Sequence, residues 1–179
     1  QHIAYAAQLE AKRVIIRDAI TRIARRDIEL PVVHPSSLEW RYRRKLTLAL
    51  RWQRGRWIAG LHPWHDAAAV FGLDDCPIPQ EPVVATWREI VAASAHFPRV
   101  PELRGAVRLI ASGASFVLEG GDAWPGARRF FDAVPSLGAL WWQPEGHRRR
   151  LIAERGDRGD DASRDSASFV QVNGPVSAG

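Results

Sequence analysis

Between Arg41 and Arg56 the chain places seven cationic side chains, Arg41, Arg43, Arg44, Lys45, Arg51, Arg54 and Arg56, and no carboxylate. A surface that serves solubility alone mixes both signs, so an unbroken run of one sign points to an anionic partner. Trp40, Tyr42, Trp52 and Trp57 interleave with these cations. Guanidinium and ammonium groups bind phosphates while aromatic rings stack on unpaired bases, which is how single-stranded RNA is held. Arg41, Arg43, Lys45 and Arg51 are therefore the candidate RNA-binding residues. The competing reading of the same run is a solvated strand face.

Other chemistry-bearing residues are sparser. Cys76, within "GLDDCPIPQE", is the only cysteine, so it has no partner for an intramolecular disulfide. His62 and His65 stand three apart, a spacing that suits a metal only on a helix; Pro63 between them argues against one, and no third ligand is near. They read as structural histidines. The doubled Arg-Gly-Asp of residues 155–160 reads as loop composition. Neither a P-loop nor G-x-G-x-x-G occurs, so these residues offer no nucleotide-phosphate cradle of the usual kinds.

The elements that must carry these groups follow from periodicity. Tyr5, Leu9, Ile16, Ile20 and Ile23 recur at helical spacing among Lys12, Arg13, Arg17 and Arg22, predicting an amphipathic helix over 4–25 that ends before Pro31 and Pro35. From Trp40 to Trp52 the period is two. Trp40, Tyr42, Leu46, Leu48, Leu50 and Trp52 share one parity; Arg41, Arg43, Lys45, Thr47 and Arg51 share the other, predicting a long strand with a basic face. "QRGR" supplies a turn, after which residues 57–61 return antiparallel. "AAAVFGL" predicts a short strand and 84–95 a helix. "AVRLIASG" and "SFVLEGG" predict a second hairpin through Gly113, "GARRFFDAV" a short helix, and "FVQVN" at 169–173 a final strand. Residues 154–168 hold no large apolar side chain and read as a solvated loop. Hairpins with helices inserted between them make an α+β fold built on an antiparallel sheet.

The chain's 179 residues, 46% hydrophobic and 25% charged, suffice for one domain and part of another. The net charge of +5 favours a polyanionic partner. With no methionine present, Gln1 is expected not to be a translation start, and the chain to be processed or a piece of a longer one. Apolar runs fall well short of a membrane span, and residues 1–30 lack a signal-peptide core. The expectation is a soluble, cytoplasmic monomer.

Four stretches, "QHIAYAAQLEAKR" at the start, "WRYRRKLTLALR" at 40–51, "GLHPWHDAAAVFGLDDCPI" at 60–78 and "FVQVN", resemble in order the S-adenosylmethionine-dependent RNA (uracil-5-)-methyltransferases that make 5-methyluridine in ribosomal and transfer RNA. The resemblance implies four regions. Residues 1–30 are a helix following an upstream iron–sulfur segment, 31–153 a central RNA-binding domain and 154–167 a flexible loop. Residues 168–179 open a Rossmann-like methyltransferase domain. Trp40, Tyr42, Arg43 and Lys45 match the family's W-x-Y-R-x-K pattern, in which Tyr42 would anchor the core while Arg43 and Lys45 meet RNA. Gln171 would contact the methyl donor, S-adenosylmethionine, with Phe169 lining the same pocket. In the family a C-x5-C-x2-C segment and a later cysteine in a C-P-I context hold a [4Fe–4S] cluster, and Cys76 stands in the later position; one thiolate alone cannot hold a cubane.

The family's reaction adds a cysteine thiolate to uracil C6, which makes C5 nucleophilic toward the methyl group before a carboxylate removes the C5 proton. Its S-C-N-P nucleophile motif and D-x-F-C-G-x-G donor loop do not occur here, so these 179 residues are expected to be inactive alone, with no catalytic residue among them. Ribosomal RNA, 23S first, is the expected target, then transfer RNA. Two other readings stand beside this one: a stand-alone RNA-binding module without catalysis, and a basic scaffold unrelated to RNA.

Overall fold

The computed structural model describes residues 3–155. They divide into two compact units at Glu39/Trp40. Phe169 and Gln171, the "FVQVN" strand and most of the 154–168 loop lie outside the described residues.

In the first unit α1 (Tyr5–Ala19) runs on through a π-helical turn, Ile20–Ala24, and stops at Arg25, whose φ of 52° is left-handed. The helix matches the period seen in the sequence, but none of its residues is buried, and Ile15, Ile16 and Ile23 are exposed. The segment after it folds back along it. The Tyr5 hydroxyl accepts the Ser36 N–H at 2.6 Å, and Arg13 Nε donates to the Pro31 carbonyl at 3.0 Å.

The second unit is a seven-stranded sheet with two helices. In chain order its elements are β1 (Lys45–Gln53), β2 (Arg56–Leu61), β3 (Phe71–Gly72), α2 (Glu81–Ala92), β4 (Glu102–Ile110), β5 (Gly113–Glu119), α3 (Ala127–Ala133), β6 (Leu137–Gln143) and β7 (Arg150–Glu154). The strands lie in the order β3-β2-β1-β4-β5-β6-β7. All neighbours are antiparallel except β5 and β6, which run parallel because α3 carries the chain back across the sheet. The α+β expectation is thus right in class and incomplete in detail. It missed β6 and β7, and with them the parallel pair.

Alternation decides which face each strand buries. Leu46, Val107, Phe116, Leu140 and Ala153 form one cross-strand row; Leu48, Gly105, Leu118 and Trp142 form the next. Val83, Trp87 and Ile90 of α2, Phe130 and Phe131 of α3 and Val134 just after it close over these rows in one continuous core. Phe97 sits at its centre, 5.2 Å from the Phe130 ring and 5.7 Å from that of Trp57. Gly105 is what makes room for Phe116, because a Cβ there would lie 3.0 Å from the ring. The β1–β2 hairpin turns through Arg54 (φ 50°) and Gly55 (φ 79°), the paired left-handed conformations of a tight two-residue turn, as "QRGR" predicts.

Candidate nucleic-acid interface

The predicted strand over residues 40–52 begins only at Lys45. Arg41 has a φ of 54° and leaves the extended region, while the backbone of residues 41–43 pairs with the Cys76 loop instead: Arg41 N–H donates to Pro77 O at 2.8 Å and Arg43 N–H to Ile78 O at 3.1 Å. From Lys45 onward the predicted parity holds. Leu48 and Leu50 enter the core, and Lys45, Thr47 and Arg51 occupy the opposite face.

The four candidate RNA-binding residues have different surroundings. Arg41 is a brace. Its guanidinium donates to Asp75 at 3.1–3.2 Å and to the Cys76 carbonyl, and lies 3.4 Å from Glu81. Arg88 of α2 flanks the same carboxylates and donates from Nε to the Asp74 carbonyl. The hydrogen bond from Arg41 holds the Asp75 carboxyl below its ordinary value, and Asp75 in turn raises that of Arg41. The Asp75 carboxylate is therefore a clamp of the Cys76 loop, while Asp74 contributes its backbone carbonyl. Arg51 pairs with Glu102 across the β1–β4 ladder at 2.7 Å. Arg43 is exposed and Lys45 half-buried, and both line a cavity of about 370 Å³.

That cavity brings together what spacing alone could not. Arg43, Arg44, Lys45 and Arg108 line it, with no carboxylate among the other described lining residues, over an apolar floor that includes Leu46 and Ile78. Arg108 belongs to β4 and faces Lys45 directly across the ladder, a neighbour that only strand pairing reveals. Arg44 precedes the strand and is exposed despite sharing parity with the core residues. An anion in this cavity meets cations from two strands at short range, in a setting drier than open surface.

The aromatic residues of the run divide. Trp57 is a core residue, against which the half-exposed Trp52 packs edge-on at 5.6 Å; Trp40 is exposed, and Tyr42 is half-buried without joining the core. They do not form one stacking surface with the cations. The pattern in the sequence mixed residues with separate tasks.

Cys76 is half-buried and lines the basic cavity. No group of three metal-ligating side chains occurs among the described residues, so a cubane at Cys76 would need its other thiolates from elsewhere. His62 is structural: its Nδ1 lies 2.8 Å from the Ala69 carbonyl and closes the β2–β3 loop. Arg155, read as loop, is instead fixed. It donates to the carbonyls of Phe131, Val134, Pro135 and Leu137 and lies 4.1 Å over the Phe131 ring.

With this geometry in view, the comparisons narrow the field. No protein-family model matches the chain. Two uncharacterized RNA methyltransferases of Listeria monocytogenes, one from serotype 4b and one from serovar 1/2a, are each 30% identical to it over 95 residues, 51% of this chain and 21% of theirs. The chain spans about a fifth of the length of these curated relatives. It is similar to part of an RNA methyltransferase. No helix among the described residues is long and apolar enough to cross a membrane.

Proposed function

We propose that this chain is the RNA-recognition part of an S-adenosylmethionine-dependent RNA methyltransferase that makes 5-methyluridine, with 23S ribosomal RNA as target and the chemistry carried outside these residues. The observation that carries the reading is the cavity lined by Arg43, Arg44, Lys45 and Arg108, in a chain similar to RNA methyltransferases. Four cations gathered at one cavity suit a phosphodiester backbone, and the apolar floor suits the sugar or base attached to it. Gln171 and Phe169 are proposed as donor contacts and Cys76 as one ligand of a [4Fe–4S] cluster. The described residues hold no second cysteine, so the remaining cluster ligands would have to come from elsewhere.

The test is direct RNA binding. Replacing Arg43, Arg44 and Lys45 with glutamine should weaken binding to structured RNA and reduce the log–log salt slope by about 0.7 to 0.9 for each phosphate no longer neutralised. Arg51, already paired with Glu102, should contribute less than Arg43 or Arg44. Unchanged affinity and slope in a folded triple variant would remove the cavity from the RNA path.

A further inference from the structure

The β2–β3 loop, residues 62–69, carries an aromatic that the fold does not use. Trp64 is 102% exposed, while Trp57, Trp87, Trp124 and Trp142 are all buried in the core. An indole kept wholly in water forgoes the burial that stabilises its counterparts, so packing gives no reason for it. The loop is nevertheless well braced. Asp66 Oδ1 accepts the N–H groups of Ala68 at 2.9 Å and Ala69 at 3.2 Å, Asp66 N–H donates to Pro63 O, and His62 closes the base against Ala69 O. Pro63 restricts the backbone immediately before the indole. A flat apolar ring is thus presented on a scaffold that needs little ordering to engage a ligand.

Its position gives the ligand. His62 lines a groove of about 860 Å³ along the sheet face turned away from the helices, where Thr47, Gln143, Glu145 and the Arg51–Glu102 and Arg104–Glu119 ion pairs also stand. Only Pro63 separates His62 from Trp64 along the chain, so their Cα atoms are within about 7 Å. Thr47 and Leu61 line both this groove and the cationic cavity, so the two adjoin. A strand whose phosphates occupy the cavity can extend past Thr47 and Leu61 toward the loop that carries the indole, turning bases rather than phosphates to the ion-paired groove.

We propose that Trp64 is a stacking platform for an unpaired base of single-stranded RNA whose backbone is held by the Arg43–Lys45 cavity. This rests on the RNA reading above and adds the strandedness of the substrate and a residue outside the basic run. Every base has a π-face, so stacking favours unpaired over paired RNA without choosing a sequence.

The test compares wild type, Trp64→Ala and Trp64→Phe by fluorescence anisotropy with a short unstructured RNA and a fully paired RNA hairpin stem of equal charge. Trp64→Ala should bind the unstructured RNA about fivefold or more weakly and the stem within about twofold of wild type. Its salt slope should stay the same, because stacking releases no counterions. Trp64→Phe should recover most of the affinity, and urea midpoints should coincide because the indole packs on nothing. Equal binding of the unstructured RNA by wild type and Trp64→Ala would overturn the stacking role while leaving the RNA reading intact, as would an equal weakening on both RNAs. Absence of RNA binding by the wild type would overturn both.

Discussion

Removing the Arg155 side chain should cost the sheet domain more than any other single exposed or half-exposed charge. The guanidinium fills the turn between α3 and β6, donating to Phe131 O at 2.7 Å and Val134 O at 2.9 Å, to Leu137 O, and more loosely to Pro135 O at 3.2 Å. It also stacks on Phe131 at 4.1 Å. A hydrogen bond with a charged partner contributes about 1.5–3 kcal/mol and a partly exposed cation–π interaction about 0.5–1 kcal/mol. Because the group is half-buried and water replaces some of the broken bonds, Arg155→Ala should cost about 2–4 kcal/mol rather than the sum. With a urea m-value of about 2 kcal/mol/M, the midpoint should fall by roughly 1–2 M. Arg155→Lys should recover less than half of this, since an ammonium cannot fork among several carbonyls or stack flat on a ring. The partners are carbonyls, so adding salt should leave the difference nearly unchanged, unlike an exposed ion pair. A destabilisation under about 0.5 kcal/mol, or one that disappears in salt, would refute the clamp.

Acid should loosen the Cys76 loop through Asp75. Its carboxyl is held below the ordinary 3.8 by the hydrogen bond from Arg41, so its contribution to folding is complete above that value and is lost as pH falls through the lowered one. Asp75→Asn should therefore be less stable than wild type at about pH 6, with the gap in urea midpoint narrowing as pH falls below the ordinary carboxylate range; a gap independent of pH would assign the effect to packing. Gly60→Ala should detach β3, because a Cβ at Gly60 would clash with the Phe71 carbonyl oxygen. Such overpacking costs about 1–3 kcal/mol, and hydrogen exchange should accelerate at Leu61 and Leu73 while β4–β6 stay protected; unaltered protection at both would contradict the β2–β3 pairing.

Periodicity made the local elements legible. The first helix, the β1–β2 hairpin with its two-residue turn, the β4–β5 hairpin and both helices of the sheet domain occur close to where spacing places them. A two-residue period sets which side chains share a face whatever the partner, so Leu48 and Leu50 had to oppose Lys45 and Arg51 once the strand formed. The basis for the proposed anionic partner is also local, a cationic run without carboxylates between Arg41 and Arg56.

What spacing cannot carry is pairing between distant residues. β6, "LGALWWQ", is apolar on successive positions because it lies inside the sheet beside β5, so it shows little alternation to find. Arg41 shares the parity of Arg43 and Lys45, yet a left-handed backbone and the carboxylates of Asp75 and Glu81, more than thirty residues away, turn it into a brace. Arg108 becomes a neighbour of Lys45 only through the β1–β4 register, and Arg155 becomes a clamp only because α3 ends in carbonyls that lack helical donors. Sequence by itself determined which side chains could meet an anion; tertiary structure decided which of them share one cavity, and it brought carboxylates and carbonyls close enough to hold Arg41, Arg51 and Arg155 elsewhere.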